Sequence, residues 1–468
     1  MTLVASEAPP KKRRRWRWGL YALFAVAVIL SFLFFLANSE LNRAIAETDA
    51  LDPGWRLEEI EAARAVIPDS ENSALVIQKG IALIRNQKQI DALNLDDYRD
   101  HPEWRLRPDE LAQAQAILAA NPEALAEFRK LSNMPRGRFP LTITPNPTNA
   151  LPAASMTARK PLDLQRLDLY DRLEANDVPG AVDRLLAGLN VGRSIGDEPF
   201  LISLLIRIAI DISSVGRIER FLAQCETDDA TLAKLQHELE LLETEPIALW
   251  GLRGERGWGF GQFEYLKWHP GSSPAAMTNT WRDYLFYLPG GANHDEADYL
   301  RYMNQIIGII HQPTETWCDA TDDLERATQK MSLLAKPKNV PIVMRVSARR
   351  NAFVSAMIAA LAAERYRIKF NKWPETLDDL VKNKLLAKIP LDPFDGKPLR
   401  WKTVSGGRIV YFIGVDRVDN KGDLIGSSNP VFTRDDGCRL FDPDNRRQTP
   451  PPKLPKAETN ITETTFEP

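Results

Sequence analysis

Hydrophobic positions run unbroken from Gly19 to Ala37 and then become periodic. The unbroken stretch, Gly19-Leu20-Tyr21-Ala22-Leu23-Phe24-Ala25-Val26-Ala27-Val28-Ile29-Leu30-Ser31-Phe32-Leu33-Phe34-Phe35-Leu36-Ala37, carries no charge. It has the roughly 20 residues that a helix needs to cross a bilayer core, so a transmembrane anchor is predicted over 18–38. Residues 39–133 read as a helical region. Glu40 to Asp49 continues as helix until Asp52-Pro53-Gly54, and Leu57, Ile60 and Ala63 recur at helical spacing in a segment that Pro68 ends. Asn72 to Asn86 and Pro108 to Ser132 are expected as further helices. Residues 134–161, with Thr142-Ile143-Thr144-Pro145-Asn146-Pro147-Thr148, are expected to form a linker or long surface loop.

Residues 162–340 predict a helical domain in which Leu162 to Asn176, Val178 to Ile195, Pro199 to Glu226 and Asp228 to Leu242 are consecutive helices. Short breaks make these neighbours antiparallel, as in a bundle or repeat-like array. Pro199 to Leu222 is apolar nearly all round and is expected to be the most buried element. Arg207 and Asp211 lie in its middle, one turn apart. Each would cost about 2.5–3.5 kcal/mol at a bilayer centre, which argues against a second span and for an i,i+4 ion pair. Within this domain, 246–291 has another character: aromatic residues, among them Trp250, Trp258, Trp268, Trp281, Tyr284 and Phe286, are interspersed with glycines such as Gly257, Gly259 and Gly261. On a flexible loop they would line a groove for sugar, peptide or lipid made of Trp250, Glu255, Trp258, Trp268 and His269. The competing reading is packing across helix ends, because aromatics bury large areas.

The region 341–442 predicts a small α+β module. Val343 to Phe370 is a long amphipathic helix with Val346, Phe353, Met357, Leu361 and Ile368 within one face. It leads through Asn371-Lys372-Trp373-Pro374-Glu375-Thr376-Leu377 and Ile389-Pro390-Leu391-Asp392-Pro393-Phe394-Asp395-Gly396 to two antiparallel strands, Leu399 to Thr403 and Arg408 to Ile413. A loop follows with Asp416, Asp419, Asn420 and Asp423. Residues 443–468 are rich in Pro, Lys and Thr and are expected to be a disordered tail. The fold class is therefore mainly α, with a transmembrane helix, a bundle-like middle and an α+β end.

In this module Tyr366, Asn371, Trp373-Pro374, Leu377, Leu380, Pro390, Asp392-Pro393-Phe394 and Gly396 stand in the order of the type II secretion major pseudopilins, which the region resembles over roughly 80 residues. The resemblance implies calcium at Asp416, Asp419, Asn420 and Asp423. The residue types agree, since calcium takes several oxygen ligands, while a solvated Asp/Asn/Gly turn is the other reading. The processing segment of that family, with its fifth-position glutamate, has no counterpart at Trp18-Gly19-Leu20-Tyr21, so only the module's fold carries over. The whole layout is also similar to large single-pass proteins of planctomycete-type bacteria, in the phrases Leu51-Asp52-Pro53-Gly54-Trp55-Arg56 and Asp197-Glu198-Pro199-Phe200-Leu201-Ile202.

Charge orients the anchor. Residues 1–17 form a basic segment, Lys11-Lys12-Arg13-Arg14-Arg15 and Arg17, which is expected to stay in the cytoplasm with Trp16 and Trp18 at the headgroups. The bulk of the chain would then be extracytoplasmic at the inner membrane. A nuclear-import patch and a cleaved signal peptide are the alternatives; the apolar run is longer than a signal peptide needs, and Ala37-Asn38-Ser39 is a poor cleavage site. The 60 basic and 63 acidic residues nearly balance, which argues against a nucleic-acid partner. Cys225, Cys318 and Cys438 allow one bridge or none. The five histidines lack metal-ligand spacing, no nucleophile elbow is present, and Glu255, Glu264 and His269 form the nearest approach to acid–base chemistry. No catalytic residue is assigned. The leading expectation is a membrane-anchored interaction or scaffold protein, with lipid at 18–38 and envelope proteins as partners. A periplasmic hydrolase or carbohydrate- or peptide-binding protein using 246–291 is the alternative.

Overall fold

A computed structural model describes residues 12–144, 152, 154–269, 291–331, 336, 337, 339–424 and 434–452, with side chains from Trp16 onward. Lys11, the prolines of 145–151, Trp281, Tyr284, Phe286 and Tyr287, and 453–468 lie outside the described residues. The helices in chain order are α1 Lys12–Leu51, α2 Leu57–Ala63, α3 Ser73–Ala82, α4 Gln87–Ala92, α5 Asp97–Asp100, α6 Pro108–Ala120, α7 Pro122–Lys130, α8 Pro161–Glu174 and α9 Val178–Arg193. They continue with α10 Leu201–Gln224, α11 Asp229–Thr244, α12 Ile247–Trp268, α13 Gly291–Ile310, α14 Trp317–Ala327, α15 Val340–Phe370 and α16 Asp378–Lys382. Strands β1 Arg400–Val404, β2 Gly407–Phe412 and β3 Asp436–Phe441 form one antiparallel sheet in that order.

Local chemistry sets many of these boundaries. Pro122 and Pro161 begin α7 and α8, where a missing N–H is harmless. Asp177 caps α9 by accepting from the Gly180 N–H at 3.0 Å, and Asp228 caps α11 by accepting from Thr231 at 2.7 Å. The expected single helix over Pro108 to Ser132 is two helices, because Asn121-Pro122 interrupts it. The sheet is closed by β3, a strand not expected from sequence. Its sequence, Asp436-Gly437-Cys438-Arg439-Leu440-Phe441, lacks β-branched residues, yet Gly407↔Phe441 and Phe412↔Asp436 pair it fully with β2.

α1 has two halves. An eighteen-residue window within it has mean hydropathy 2.7 and no residue buried. Burial then begins along one stripe, Leu41, Ala44 and Thr48, which faces α13. The helix ends where Gly54 takes φ +78°, a conformation that costs glycine little.

The enclosed helix is α15 rather than α10. Every residue from Ala352 to Glu364 is buried, whereas α10 leaves Ile202, Ala209 and Ser213 exposed. α15 is amphipathic only at its ends. Its central alanines let α10, α11, β2 and β3 approach from several sides. The expected Arg207–Asp211 pair is also replaced. Asp211 Oδ2 accepts from Arg350 Nε at 3.0 Å and Nη2 at 2.7 Å, with both side chains fully buried. Arg207 instead pairs with Glu245 and donates to the Gly196 carbonyl at 2.9 Å. Both arginines face partners from other helices, so the charges join α10 to α15 and to the end of α11. Removing one partner of such a buried pair costs about 3–5 kcal/mol.

The described parts of two expected free segments, 134–144 with 154–161 and 443–452, are tied down. In 134–161, Phe139 is fully buried and Arg138 donates to Glu61 at 2.6 Å. In 443–468, Arg446 is buried against Glu364 at 2.9 Å, and Gln448 bridges to Trp104. In 443–452 polar composition was a poor guide because arginines, not apolar residues, make the attachment. The three cysteines are buried and unpaired.

α12 corrects the flexible-loop expectation: residues 247–268 form one continuous helix of 22 residues. Its glycines serve close packing. A Cβ at Gly254 would collide with the Pro199 carbonyl, and one at Gly257 would lie 2.8 Å from Leu57 N and 3.0 Å from Trp55 O. Helix propensity alone predicts that Gly254→Ala stabilises the fold by about 1 kcal/mol. The packing predicts the opposite sign, a loss of about 1–3 kcal/mol, and a urea midpoint of the detergent-solubilised chain distinguishes them.

Candidate functional site

α12 brings together the two phrases that stand out in the sequence. Asp52 accepts from Arg253 Nε at 2.8 Å and Nη2 at 2.7 Å, and also pairs with Arg256. Trp55 is fully buried, edge-on to Phe260 at 4.9 Å, with the Arg256 guanidinium 5.4 Å from its ring. From the second phrase, Asp197 pairs with Arg64 at 2.7 Å and Glu198 accepts from Ser155 at 2.6 Å. Phe200 joins Leu57 and Trp258 in a small apolar cluster. These residues are structural clamps around one helix.

The proposed groove residues do not converge on each other. At 1.5 Å per residue, Glu255 and His269 are about 21 Å apart along α12, and Trp258 and Trp268 about 15 Å. Trp250 is half-buried beneath Arg207, 5.6 Å from its ring centre. His269 Nδ1 contacts the Tyr265 carbonyl at 2.9 Å and stacks on Tyr265 at 4.1 Å. Trp268 is 79% exposed. Two shallow cavities of about 470 and 500 Å³ lie elsewhere, one between α11 and the α16 region at Gln236, His237, Arg365 and Leu386, the other between α13 and α14.

The structure assembles a different carboxylate group, between α12 and α13. Lys267 Nζ binds Glu264 at 2.7 Å and also the fully buried Glu296. Burial pushes the Glu296 carboxyl from the ordinary 4.5 up to about 8, with Lys267 only partly opposing the shift. Burial alone raises Glu255 to about 7. The backbone carbonyl of Glu255 accepts from Tyr299 Oη at 2.5 Å, and burial holds that phenol well above its usual range. Glu255 was visible in the sequence as a candidate acid. Glu296 and Tyr299 were not, because their relation to α12 is tertiary.

The Asp-rich loop is likewise built differently. Asp416 accepts from the Val418 N–H at 3.1 Å and Asp419 from Lys421 at 2.8 Å, both local turns. Asn420 Nδ2 donates to the Val418 carbonyl at 3.2 Å, while Asp423 lies 4.0 Å from Arg434. Asp435, which sequence did not single out, organises the loop by accepting from Asn420 N at 3.1 Å and Gly422 N at 2.6 Å. Its pKa is raised by burial. Among the described residues no group of three His, Cys, Asp or Glu side chains is placed to hold a metal ion. Arg400 is a cation held at this end: it bonds Asp392 at 2.7 Å and Asp395 at 2.5 Å and lies 3.4 Å from Asp419. Burial raises Asp392 despite the Ile413 and Phe394 N–H groups that bond it.

A carboxyl whose pKa is higher when folded binds more protons in the native state, so stability falls as pH rises between the two values. For Glu296 that window runs from about 4.5 to about 8. Relative to Glu296→Gln, the wild-type chain is expected to lose stability across this window, on the order of a few kcal/mol, and to level off above it. Urea midpoints of both chains against pH measure the difference. Comparison with protein-family models, with curated proteins and with solved structures finds no match to this chain.

Proposed function

We propose that the chain is a single-pass, membrane-anchored extracytoplasmic interaction or scaffold protein. The observation that carries this reading is the continuity of α1. One helix of 40 residues combines an exposed apolar half with a half that belongs to the domain core through Leu41, Ala44 and Thr48. A span and a folded body that share one helix support a display role, with the body held at a fixed distance from the bilayer. The helix also passes through Ala37-Asn38-Ser39 without a break, which supports an uncleaved anchor over a signal peptide. Six basic residues in 1–17 support a cytoplasmic N-terminus.

The C-terminal module fits the same reading. Arg439 binds Glu219 at 2.6 Å, and Arg349 pairs with Asp436, so the sheet is fastened to the helical body by charge as well as by the core. The pseudopilin-like reading of the fold rests on its long helix, Asp392 turn and antiparallel sheet, and in the proposed role the module forms one end of the scaffold.

Expressed in a bacterial host, the full chain is expected to stay in the membrane fraction after alkaline carbonate extraction and to retain residues 1–37 by mass spectrometry. A C-terminal alkaline phosphatase fusion should be active. A soluble product that begins near Asn38 would refute the anchor.

A further inference from the structure

The contacts of α13 fix its direction beside α1. Arg301 lies between Glu40, at 3.3 Å, and Glu47, at 3.8 Å, and Asn304 donates to Thr48 at 2.8 Å. An antiparallel register that keeps Asn304 at Thr48 would put Arg301 beyond Thr48, level with residue 51 and about 16 Å from Glu40 at 1.5 Å per residue. The two helices therefore run parallel. α12 runs against α13, because Arg256 bonds Asn304 at 2.8 Å while Lys267 pairs with Glu296. Counting back five residues from Arg301, or eight from Asn304, places Glu296 and Lys267 near the level of residues 38–40 of α1. That is the level at which the exposed apolar run ends. Burial of α1 also begins there: Ala37 is partly covered and Leu41 is buried.

Trp268 projects from this end of α12 and is 79% exposed. A tryptophan with an apolar body and one N–H donor favours the headgroup layer, where one part is apolar and the other wet. On the opposite side of the membrane the same residue type, Trp16 and Trp18, precedes the apolar run. We infer that the end of α12 at Trp268, beside the first turn of α13, is a second contact of this chain with the bilayer, made with the lipid headgroup layer on the extracytoplasmic side. It rests on the anchor reading and adds to it. A lone span permits the body to rotate and tilt above the membrane, whereas a contact some distance from the span axis fixes its orientation.

Nitroxide labels on the full chain in phosphatidylethanolamine/phosphatidylglycerol vesicles test this. The native cysteines are buried and the parent chain serves as the unlabelled reference. Labels are placed at Trp268→Cys, at His269→Cys, which keeps Trp268, at Phe32→Cys within the span, and at Leu241→Cys, exposed on α11 near the far end of α12. Power saturation with oxygen and a water-soluble nickel chelate reads depth. The expected oxygen-to-nickel accessibility ratio at 269 and 268 is several-fold above that at 241 and below that at 32. Ratios at 268 and 269 equal to that at 241, with 32 still deep in lipid, would overturn the second contact and leave the anchor standing. An aqueous label at 32 would overturn both.

Discussion

The rest of the architecture depends on how closely α12 approaches the chain around it. Gly254 lies against the Pro199 carbonyl and Gly257 against the backbone of Trp55 and Leu57. No other residue type permits that approach without moving a main chain. Helical glycines are unfavourable by about 1 kcal/mol each relative to alanine, so their use here reflects packing that outweighs propensity. Because α12 sits that close, its Arg253 and Arg256 reach Asp52, and Trp55 is enclosed. The end of α1 is thereby bonded to the body rather than tethered to it.

A second layer of constraint comes from charges placed where hydrophobic burial alone would not choose a register. Arg350 and Asp211 join α15 to α10, and Arg446 and Glu364 fasten the segment after β3 to α15. Each pair is costly to desolvate and more costly to break singly. The helices and the sheet consequently share one core that runs from Leu41 to Leu440. Around Arg400 the same principle holds three aspartates at the tip of the sheet with a guanidinium.

Much of this was legible in the sequence because periodicity reports local structure. The apolar run of α1, the stop at Asp52-Pro53-Gly54, and α8 through α11 follow from spacing and caps. What failed was tertiary. The glycines of α12 read as flexibility because a sequence shows the missing side chain and hides the backbone that takes its place. Arg207 and Asp211 read as partners because they are one turn apart, while their true partners stand on other helices. β3 lacked β-branched residues, and residues 443–452 lacked apolar ones apart from prolines, so pairing and arginine contacts were invisible. The groove of Trp250, Glu255, Trp258, Trp268 and His269 required a loop, and the helix spreads those side chains along its length.

The coupling between the exposed apolar half of α1 and the body has a direct observable at the junction. Hydrogen exchange of the full chain in lipid bilayers, read at the amides of residues 37–44, reports whether α1 opens there. Slow exchange through this stretch, continuous with the protected amides of 45–51, is expected for one helix shared by membrane and domain. Fast exchange confined to 37–44 would contradict it and would mean that the body hangs from a hinge.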